Sequence, residues 1–458
     1  MTSIDTSPHN RHSLAARHDE RHTSGVEWRD RVPIGAHGEW QPPANRPDPI
    51  EILIEQGKSR IAELLPIRYA RMKADPFAFL RRAAAIMAGD LASGPATGLR
   101  LQTGGDCHLA NFGAYATPEG TPVFDMNDFD ETLPAPFEWD VKRLAASLAV
   151  AGQVAKMAER DCRRLARGAA LSYREHLADL ADLPPLDAWS TRIDLMREIA
   201  EVDSAKIRRN LKKRLAATLE GGEEHFGLVE RKNGGWRIKE KLPLVRHLSR
   251  HELHAHKALA SYAETLQEDR RVLLQRYHFR DVAFKTVGVG SVGTYCAIAL
   301  LVSDGGAPLL LQIKEAQESV LARFAGASAY ANHGERVVVG QRMLQAATDI
   351  FLGWPQVPLD GRFFYVRRLK DQRLANIGAR LEAALPFYAD LCGRTLARAH
   401  ARAGDAVAIS AYIGSGSEFD KAIAEFAMAY ADQTEHDWRA LLDAIEAGRI
   451  SAEEPPST

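Results

Sequence analysis

Apolar residues recur with a helical period along several long stretches of the chain. One such stretch covers residues 50–91 and breaks at Asp75-Pro76, where proline suits the first position of a new helix. Another starts at Glu138, is clearest to Val154 and continues to about Leu219. Later stretches predict helices over residues 249–274, 335–351, 385–403 and 419–447.

A strand-like pattern separates these helices. Short apolar runs predict strands at 101–103, 123–126 and 363–368, and alternation around Asn233-Gly234-Gly235 predicts a hairpin. The clearest β region is 281–316, which we interpret as three strands with a turn at Asp304-Gly305-Gly306. We therefore expect an α+β protein with a mostly helical large lobe and a small antiparallel β lobe.

The same patterns divide the chain into four segments. Residues 1–48 are polar and rich in Arg, His, Pro and Ser, so we predict a flexible tail; a solvated arm is favoured over metal binding by its histidines. Residues 49–275 hold most of the large lobe. Residues 276–372 form the β lobe, and residues 373–458 supply C-terminal helices that complete the large lobe.

Composition narrows the class of protein. The chain has 458 residues and a net charge of −1, which gives no electrostatic case for nucleic acid or membrane as the main partner. The N-terminus has no apolar leader pattern, and no apolar run is as long as a membrane span. The scattered cysteines predict neither a disulfide framework nor a zinc site, so we expect a cytoplasmic protein; they are Cys107, Cys162, Cys296 and Cys392.

Two acidic motifs carry the candidate chemistry. In Gly104-Gly105-Asp106-Cys107-His108-Leu109-Ala110-Asn111 an asparagine follows an aspartate, and Asn127-Asp128-Phe129-Asp130 ends a short apolar strand. The first aspartate can orient or deprotonate an acceptor hydroxyl, whereas an asparagine and a second aspartate offer oxygen ligands to Mg²⁺. We predict Asp106 as catalytic and Asn111 as a metal ligand. The second metal ligand is Asp128 or Asp130, with Asp128 preferred. A turn without function is the alternative for Asp106, and His108 is expected to be structural.

A glycine-rich loop supplies the second half of a nucleotide site. Gly288-Val289-Gly290-Ser291-Val292-Gly293 fits both a dinucleotide turn and a kinase phosphate loop. The loop is followed by a strand, a turn and another strand rather than a helix, which favours the kinase type. We therefore predict that Gly288, Gly290, Ser291 and Gly293 bind the nucleotide; an unspecialised glycine hairpin is the alternative.

Lys314 ends the third strand of this β region, where a kinase places the lysine that holds the α and β phosphates. Such a lysine needs a carboxylate to orient it. Glu335, near the start of the following helix, is the preferred partner and Glu318 is the alternative. A solvated carboxylate at the start of a helix would also explain Glu335.

These motifs resemble the aminoglycoside phosphotransferase and choline kinase branch of the protein-kinase-like fold. That branch has a catalytic loop of the form His-Gly-Asp-x-His-x-x-Asn, from which this chain departs at the first histidine. The resemblance implies that Asp140, before the helix Lys142–Ala151, braces the catalytic loop. Asp125 is expected to point away from the cleft, because side chains alternate along a strand.

A longer stretch, from about Arg68 to Asp437, resembles the bacterial domain of unknown function 2252 family. Its runs GGDCHLANFG, NDFDETLPAPFEWDVKRLAAS, LQIKEA and LARAHARAGD carry that resemblance. The run Leu396–His400 resembles the helix end that precedes the catalytic loop in the phosphotransferase branch. Because this run follows the glycine loop while the acidic motifs precede it, we predict circularly permuted connectivity. Lys314 and Asp128 must then lie within about 15 Å of each other, since both reach one nucleotide.

The sequence thus predicts an ATP- and Mg²⁺-dependent phosphotransferase. The resemblance implies a small-molecule acceptor rather than a protein, and the net charge of −1 does not indicate nucleic acid. Two other classes stay open: a nucleotide-binding regulator without turnover, and a nucleotidyl (AMP) transferase on the same scaffold. A metal-dependent hydrolase is a weaker alternative, because it would need more converging His and carboxylate ligands than these motifs supply.

Overall fold

The computed structural model describes residues 14–202, 204–219, 227–232, 234–242, 245–247, 255–285, 293–358, 361–369 and 384–453. Its helices are α1 (His18–Arg31), α2 (Pro49–Gly57), α3 (Leu65–Met72), α4 (Pro76–Leu80), α5 (Ala84–Ala92), α6 (Phe137–Val154), α7 (Glu159–Ala181), α8 (Pro185–Ser190), α9 (Leu195–Ala200), α10 (Ala205–Leu219), α11 (Ala255–Ala263), α12 (Glu268–Leu274), α13 (Ala322–Ala325), α14 (His333–Leu344), α15 (Leu385–Ala403), α16 (Ala406–Ile413) and α17 (Glu418–Glu446). Its strands are β1 (Arg100–Thr103), β2 (Phe112–Ala116), β3 (Pro122–Met126), β4 (Leu133–Pro136), β5 (Ile193–Asp194), β6 (Val229–Lys232), β7 (Gly235–Ile238), β8 (Val245–His247), β9 (Tyr277–Lys285), β10 (Cys296–Ser303), β11 (Pro308–Ala316) and β12 (Phe363–Arg368).

Helices α6, α7, α15 and α17 form the body of the protein, and their apolar faces enclose its largest core. Gly393 on α15 brings that helix close to α7, because a Cβ at this position would lie 2.3 Å from the carbonyl oxygen of Ala169. The helix predicted over residues 385–403 is confirmed with those bounds, and those predicted over 138–154 and 419–447 are confirmed within one residue.

Two small antiparallel sheets lie on this body. Strand β1 pairs with β4, and β3 pairs with both β2 and β5. The first acidic motif begins at the end of β1, and the second begins at the end of β3. Both candidate motifs are therefore loops that leave strands anchored on the helical body.

A larger sheet has the strand order β12-β11-β10-β9-β8, with antiparallel neighbours. Alternate residues of β10 face its two sides. Ala297, Ala299 and Leu301 pack toward α11 and α12, whereas Ile298 and Leu300 pack toward the β6–β7 hairpin. The predicted mixed α+β class, the three-strand region and this hairpin are confirmed.

The sheet also moves a predicted boundary. Strand β8 pairs with β9, and Leu228 and Ile238 pack against the sheet. The β unit consequently begins near residue 228 rather than at residue 276. The hydrophobic pattern did not predict this earlier start, because the segments before residue 276 that join the sheet are short and separated.

The N-terminal segment needs a larger correction. The predicted tail is wrong for residues 14–48, which include α1 and pack on the helical body. His37 is buried and its Nε2 lies 2.8 Å from the hydroxyl of Tyr412. Arg46 pairs with Asp90 at 2.7 Å and with Asp437 at 2.6 Å, and both carboxylates are buried. Polar composition concealed this docking, because the buried apolar residues Ile34 and Trp40 are isolated among polar residues and Arg46 is held by paired charges. Residues 1–13 lie outside the described residues.

Two further features are the state of the cysteines and the apolar character of the helices. All four cysteines are buried and none forms a disulfide, as predicted. Within the described ranges, no helix combines the length and apolar character needed to cross a membrane.

Candidate functional site

A cleft of about 970 Å³ lies between the large sheet and the loops that follow β1 and β3. Asp106, Asn111, Asp128 and Asp130 line it together, and Thr294 and Glu315 contribute from the side of the large sheet. The residues predicted from the two acidic motifs therefore share one cavity.

The Gly104-Gly105 turn explains how Asp106 reaches the cleft. Gly105 has a φ of +80°, and a Cβ there would lie 2.3 Å from the carbonyl oxygen of Glu131. The backbone N–H groups of Gly104 and Gly105 donate to the two carboxylate oxygens of Asp140, at 2.7 and 3.0 Å. Glycines at this turn thus allow the loop to pass between Asp140, which holds it, and Glu131, which follows the second acidic motif.

Asp140 is itself held by a buried network. His400 Nε2 donates to Asp140 Oδ2 at 3.2 Å, and the Tyr173 hydroxyl hydrogen-bonds the other ring nitrogen of His400 at 2.8 Å. His400 belongs to the Leu396–His400 run at the end of α15. A helix distant in sequence therefore fixes the turn that carries Asp106, in the bracing position that the resemblance implied for Asp140.

Asp106 forms an ion pair with Arg143 of α6. Arg143 donates to Asp106 Oδ1 from Nε at 2.9 Å and from Nη2 at 2.7 Å. Burial raises the pKa of Asp106, and the charge and hydrogen bonds of Arg143 oppose that rise without cancelling it. His108 is buried and its Nε2 lies 3.7 Å from Asp106 Oδ2. Burial holds the pKa of His108 well below its ordinary value, which fits the structural role predicted for it.

Asn111 faces the same cavity from the other end of the motif. Its side-chain amide donates to the backbone carbonyl of Asp106 at 2.8 Å, while the backbone carbonyl of Asn111 accepts from the N–H of Asn127 at 2.9 Å. These bonds tie the first acidic motif to the second. The five-residue spacing is thus the span of one closed turn.

Lys314 meets the second acidic motif although it lies 184 positions from Asp130 in the sequence. Its Nζ is 2.9 Å from Asp130 Oδ2 and 3.6 Å from Asp128 Oδ1, and it lies over the ring of Tyr365. The Tyr365 hydroxyl donates to Asp130 Oδ1 at 2.7 Å. Burial favours the neutral amine of Lys314, but Asp128 and Asp130 outweigh it and raise the pKa of Lys314.

The carboxylates that pair with Lys314 in the structure are not the ones that the sequence predicted. Glu335 lies in the first turn of α14, where its N–H is capped by Asn332, and the ion pairs that the described residues give Lys314 are with Asp128 and Asp130. The alternative, Glu318, lines the cleft but is likewise not among those partners. Asp130 holds the position expected of the glutamate.

Arg336, the residue after Glu335, turns toward the acidic loop instead. Its guanidinium donates to the carbonyl oxygens of Thr132, Asp130 and Gln317, at 2.6, 2.8 and 2.8 Å. One step along a helix rotates a side chain by roughly 100°. The helical period therefore located α14 but could not fix which of its first residues faces the cleft.

The glycine loop is only partly described. Gly288, Gly290 and Ser291 lie outside the described residues. Gly293 has a φ of +93°, its carbonyl accepts from the N–H of Ile61 at 2.8 Å, and a Cβ there would lie 3.1 Å from the Cβ of Arg60. The end of the loop thus packs against the segment between α2 and α3, beside the cleft.

Glu131 is a cleft residue that sequence reasoning missed. Its Oε2 accepts from the N–H of Val320 at 2.7 Å, and burial raises the pKa of Glu131 to about 7. Its place directly after Asp130 was the available signal. Arg143 and Tyr365 were also missed, because they come from other elements and no spacing relates them to the acidic motifs.

Asp125 behaves as predicted. It is buried, pairs with Arg398 of α15, and accepts from the N–H of Ala346 at 2.9 Å. It therefore joins β3 to the helical body rather than facing the cleft.

The donor set is compatible with a phosphate-bound cation. In the part of the chain that the structure describes, no group of three or more His, Cys, Asp or Glu side chains could hold a metal ion. Mg²⁺ in phosphoryl-transfer sites needs only one or two protein oxygens, since phosphate and water supply the remainder. Asn111 and Asp128 offer such oxygens in one cavity.

Comparison with known proteins places the chain in a family. A family model described as an uncharacterized protein conserved in bacteria (DUF2252) matches residues 60–444. The match spans most of the chain, so the chain belongs to this family, as its motifs indicated. No curated protein and no solved structure matches the chain.

Proposed function

We propose that this member of the DUF2252 family is an ATP- and Mg²⁺-dependent phosphotransferase that acts on a hydroxyl group, with a small molecule as acceptor. One observation carries the proposal. Lys314 Nζ lies 3.6 Å from Asp128 Oδ1, and Asp106, Asn111 and Asp128 line the same cleft. A lysine, two aspartates and an asparagine that converge from separate segments are the parts that phosphoryl transfer requires.

In this proposal each residue of the nucleotide side has a separate role. Lys314 holds the nucleotide phosphates, and Asp130 with Tyr365 orients its ammonium group. Both oxygens of Asp130 are engaged in this way, so Asp128 is the preferred metal ligand beside Asn111. Bound Mg²⁺ would neutralise phosphate charge there. The glycine loop, including Gly288, Gly290, Ser291 and Gly293, would cover the phosphates.

Asp106 acts on the acceptor. Both contacts from Arg143 fall on Oδ1, so we assign Oδ2 to the acceptor hydroxyl. The acceptor oxygen forms a bond to the γ-phosphorus as the bond to the β,γ-bridging oxygen breaks, and ADP leaves. The hydroxyl proton passes to Asp106 Oδ2. A raised pKa makes the Asp106 carboxylate a better proton acceptor than an exposed aspartate.

We also propose that the fold is kinase-like with permuted connectivity. Three antiparallel strands, β9 to β11, flank the glycine loop and carry Lys314 on the third, which supports a kinase-like β lobe. The separation of Lys314 and Asp128 is far below the limit of about 15 Å that one nucleotide allows. His400 contacts Asp140, whose carboxylate accepts from the N–H groups of Gly104 and Gly105, so the Leu396–His400 helix is connected through Asp140 to the loop that would follow it in an unpermuted chain.

Product analysis separates the enzymatic alternatives. The full-length protein is incubated with ATP, Mg²⁺ and a small-molecule extract, and the products are identified by mass spectrometry. We expect ADP and a phosphorylated acceptor, both lost in Lys314→Ala. AMP-modified acceptor with pyrophosphate would instead identify a nucleotidyl transferase. Surface variant Lys206→Ala is the control.

One observation favours a second candidate, a nucleotide-binding regulator without turnover. The ion pair between Asp106 and Arg143 lowers the basicity that burial alone would give that carboxylate. In that case ATP binds, yet no acceptor is modified.

A further inference from the structure

Arg367 of β12 lies beside Lys314 on the large sheet, and the roles proposed above do not include it. In the register of β11 and β12, Gln312 is opposite Arg367, and Lys314 is opposite Tyr365. Cross-strand partners share a face of a sheet, and residues two apart on a strand share it too. These four side chains therefore lie on one face of the sheet, the face from which Lys314 meets the second acidic motif.

Contacts with neutral groups hold the guanidinium of Arg367 in place. Its Nε donates to Gln312 Oε1 at 3.1 Å, and its Nη1 donates to the backbone carbonyl of Asn127 at 3.2 Å. With the described residues, Nη2 makes no hydrogen bond. The guanidinium carbon lies 5.9 Å from the centre of the Tyr365 ring, and Lys314 Nζ lies 5.3 Å from it. Two cationic groups thus flank one ring, beside the residue that precedes Asp128.

The charge of Arg367 is balanced within the protein. Burial favours its neutral form, but nearby acidic groups outweigh burial and raise the pKa of Arg367; these groups are Tyr365, Asp128, Asp130 and Asp349. Asp128 and Asp130 also act on Lys314. The two cations and the second acidic motif therefore form one cluster of opposite charges.

Binding of Mg²⁺ and a nucleotide would change the partners within this cluster. Asp130 stays with Lys314, because Tyr365 holds its other oxygen. Asp128, by contrast, is the carboxylate assigned to Mg²⁺, and a carboxylate that binds a dication compensates a neighbouring cation less. Phosphates held by Lys314 would then take the place of Asp128 beside Arg367, with Nη2 as a donor to a phosphate oxygen.

We propose that Arg367 is a second cationic contact for the phosphates of the nucleotide, balanced by Asp128 until that carboxylate binds Mg²⁺. This inference rests on the proposed phosphotransferase function and assigns a further residue to its nucleotide site. It implies that metal and nucleotide assist each other. A nucleotide alone meets two carboxylates, a dication alone meets Lys314 and Arg367, and each ligand reduces the repulsion that the other meets.

Calorimetry with two probes, ADP and pyrophosphate, tests this contact in the full-length protein with Mg²⁺ present. Arg367→Gln should weaken binding of both probes by about tenfold or more, because a charge-assisted contact is lost. Pyrophosphate has no base or ribose, so its dependence on Arg367 places the contact on phosphate. Arg367→Lys, which keeps the charge but loses the planar fork, should fall between. Arg280→Gln removes an exposed arginine of β9 in the same sheet and should change neither Kd.

Binding of Mn²⁺ alone, measured by electron paramagnetic resonance, separates a phosphate contact from a merely structural role. Arg367→Gln should bind Mn²⁺ as well as the wild type or better, because a positive charge that acts on Asp128 is removed. If Arg367 only held the acidic loop in place, binding of Mn²⁺ would fall together with binding of ADP.

Several outcomes would overturn the inference. Unchanged binding of ADP in Arg367→Gln, or weaker binding of Mn²⁺, would show that Arg367 does not contact phosphate. Loss of ADP binding with unchanged pyrophosphate binding would place Arg367 on the base or ribose. If pyrophosphate binding depends on Arg367 but no nucleotide binds, the phosphate contact stands and the phosphotransferase function fails. A wild type that binds neither probe would refute both. Melting curves establish that each variant is folded, and Arg367→Lys decides the matter if Arg367→Gln is not.

Discussion

The two sides of the cleft carry opposite charge and are built from different kinds of contact. The acidic side holds Asp106 and Asp130, whose carboxylates pair with side chains from distant segments, Arg143 and Lys314. On the opposite side, Arg68 and Arg82 also line the cleft, and they donate to backbone carbonyls within the same run of short helices, α3 to α5.

The two sides of the cleft therefore differ in how far along the chain their contacts come from. Partners drawn from far along the chain fix the acidic side before any substrate arrives, which is what a site for charge development requires. On the other side of the cleft, backbone carbonyls close in the sequence orient the guanidinium groups of Arg68 and Arg82. The acidic side should therefore govern both the stability of the site and its chemistry.

The sharpest way to break this comparison is Asp106→Asn. The amide can still accept the hydrogen bonds of Arg143, so the fold and the Kd for ATP should be kept. Transfer should fall by about 10²- to 10⁴-fold, because the proton acceptor is lost. Steady-state product formation and ATP titration measure the two effects, with surface variant Asp187→Asn as the control. Equal loss of ATP binding and transfer would make Asp106 a structural residue.

Asp140→Ala tests whether the acidic side is held from a distance. Removing this carboxylate leaves the N–H groups of Gly104 and Gly105 and the ring of His400 without their acceptor. Each buried donor left unmatched costs about 1–3 kcal/mol, so unfolding free energy should fall by roughly 3 kcal/mol or more. Urea denaturation should show a lower midpoint with an unchanged m-value. Asp140→Asn, which keeps one acceptor, should lose less; a loss below about 1 kcal/mol in Asp140→Ala would show that the brace is unimportant.

Glu131→Gln sharpens the comparison through pH. The folded-state pKa of Glu131 is raised to about 7, so the unfolded chain releases this proton first as pH rises. Wild-type stability should therefore decline between about pH 4.5 and pH 7 relative to the variant. The variant keeps an acceptor for Val320, and its advantage at pH 8 should be no more than about 3 kcal/mol. Chemical denaturation at pH 4 and pH 8 measures the gap; identical pH profiles would contradict the assignment.

The sequence predicted the acidic side of the site better than the arginines that line the opposite side. Asp106, Asn111 and Asp128 each belong to a short motif whose spacing is itself a local structure, so their meeting with Lys314 could be anticipated. Four of the arginines that line the cleft are scattered over short helices and their connections, where charged residues usually indicate a solvated face; they are Arg60, Arg68, Arg81 and Arg82. The pair Arg81-Arg82, between Phe79-Leu80 and an alanine-rich apolar run, was the signal that could have found them.

The hydrophobic pattern could not predict which residues of a helix form contacts within the site, and the reason is physical. A helix contributes whichever residue its rotation brings to the cleft, and tertiary packing sets that rotation. The structure consequently brings Arg336 rather than Glu335 to the acidic loop. The same limit applies to residues 14–48, whose docking includes buried charges such as Arg46, which meets Asp437 at a distance of 391 positions in the sequence.

Nucleotide-dependent stabilisation tests the central claim most directly. Unfolding of the full-length protein is followed with and without ATP and Mg²⁺ at about a hundred times the Kd, where a ligand specific for the folded state adds about 2.7 kcal/mol. We predict this stabilisation for the wild type and for Asp106→Asn, and its loss in Asp128→Ala. A wild-type protein that no nucleotide stabilises, with or without Mg²⁺, would contradict the account.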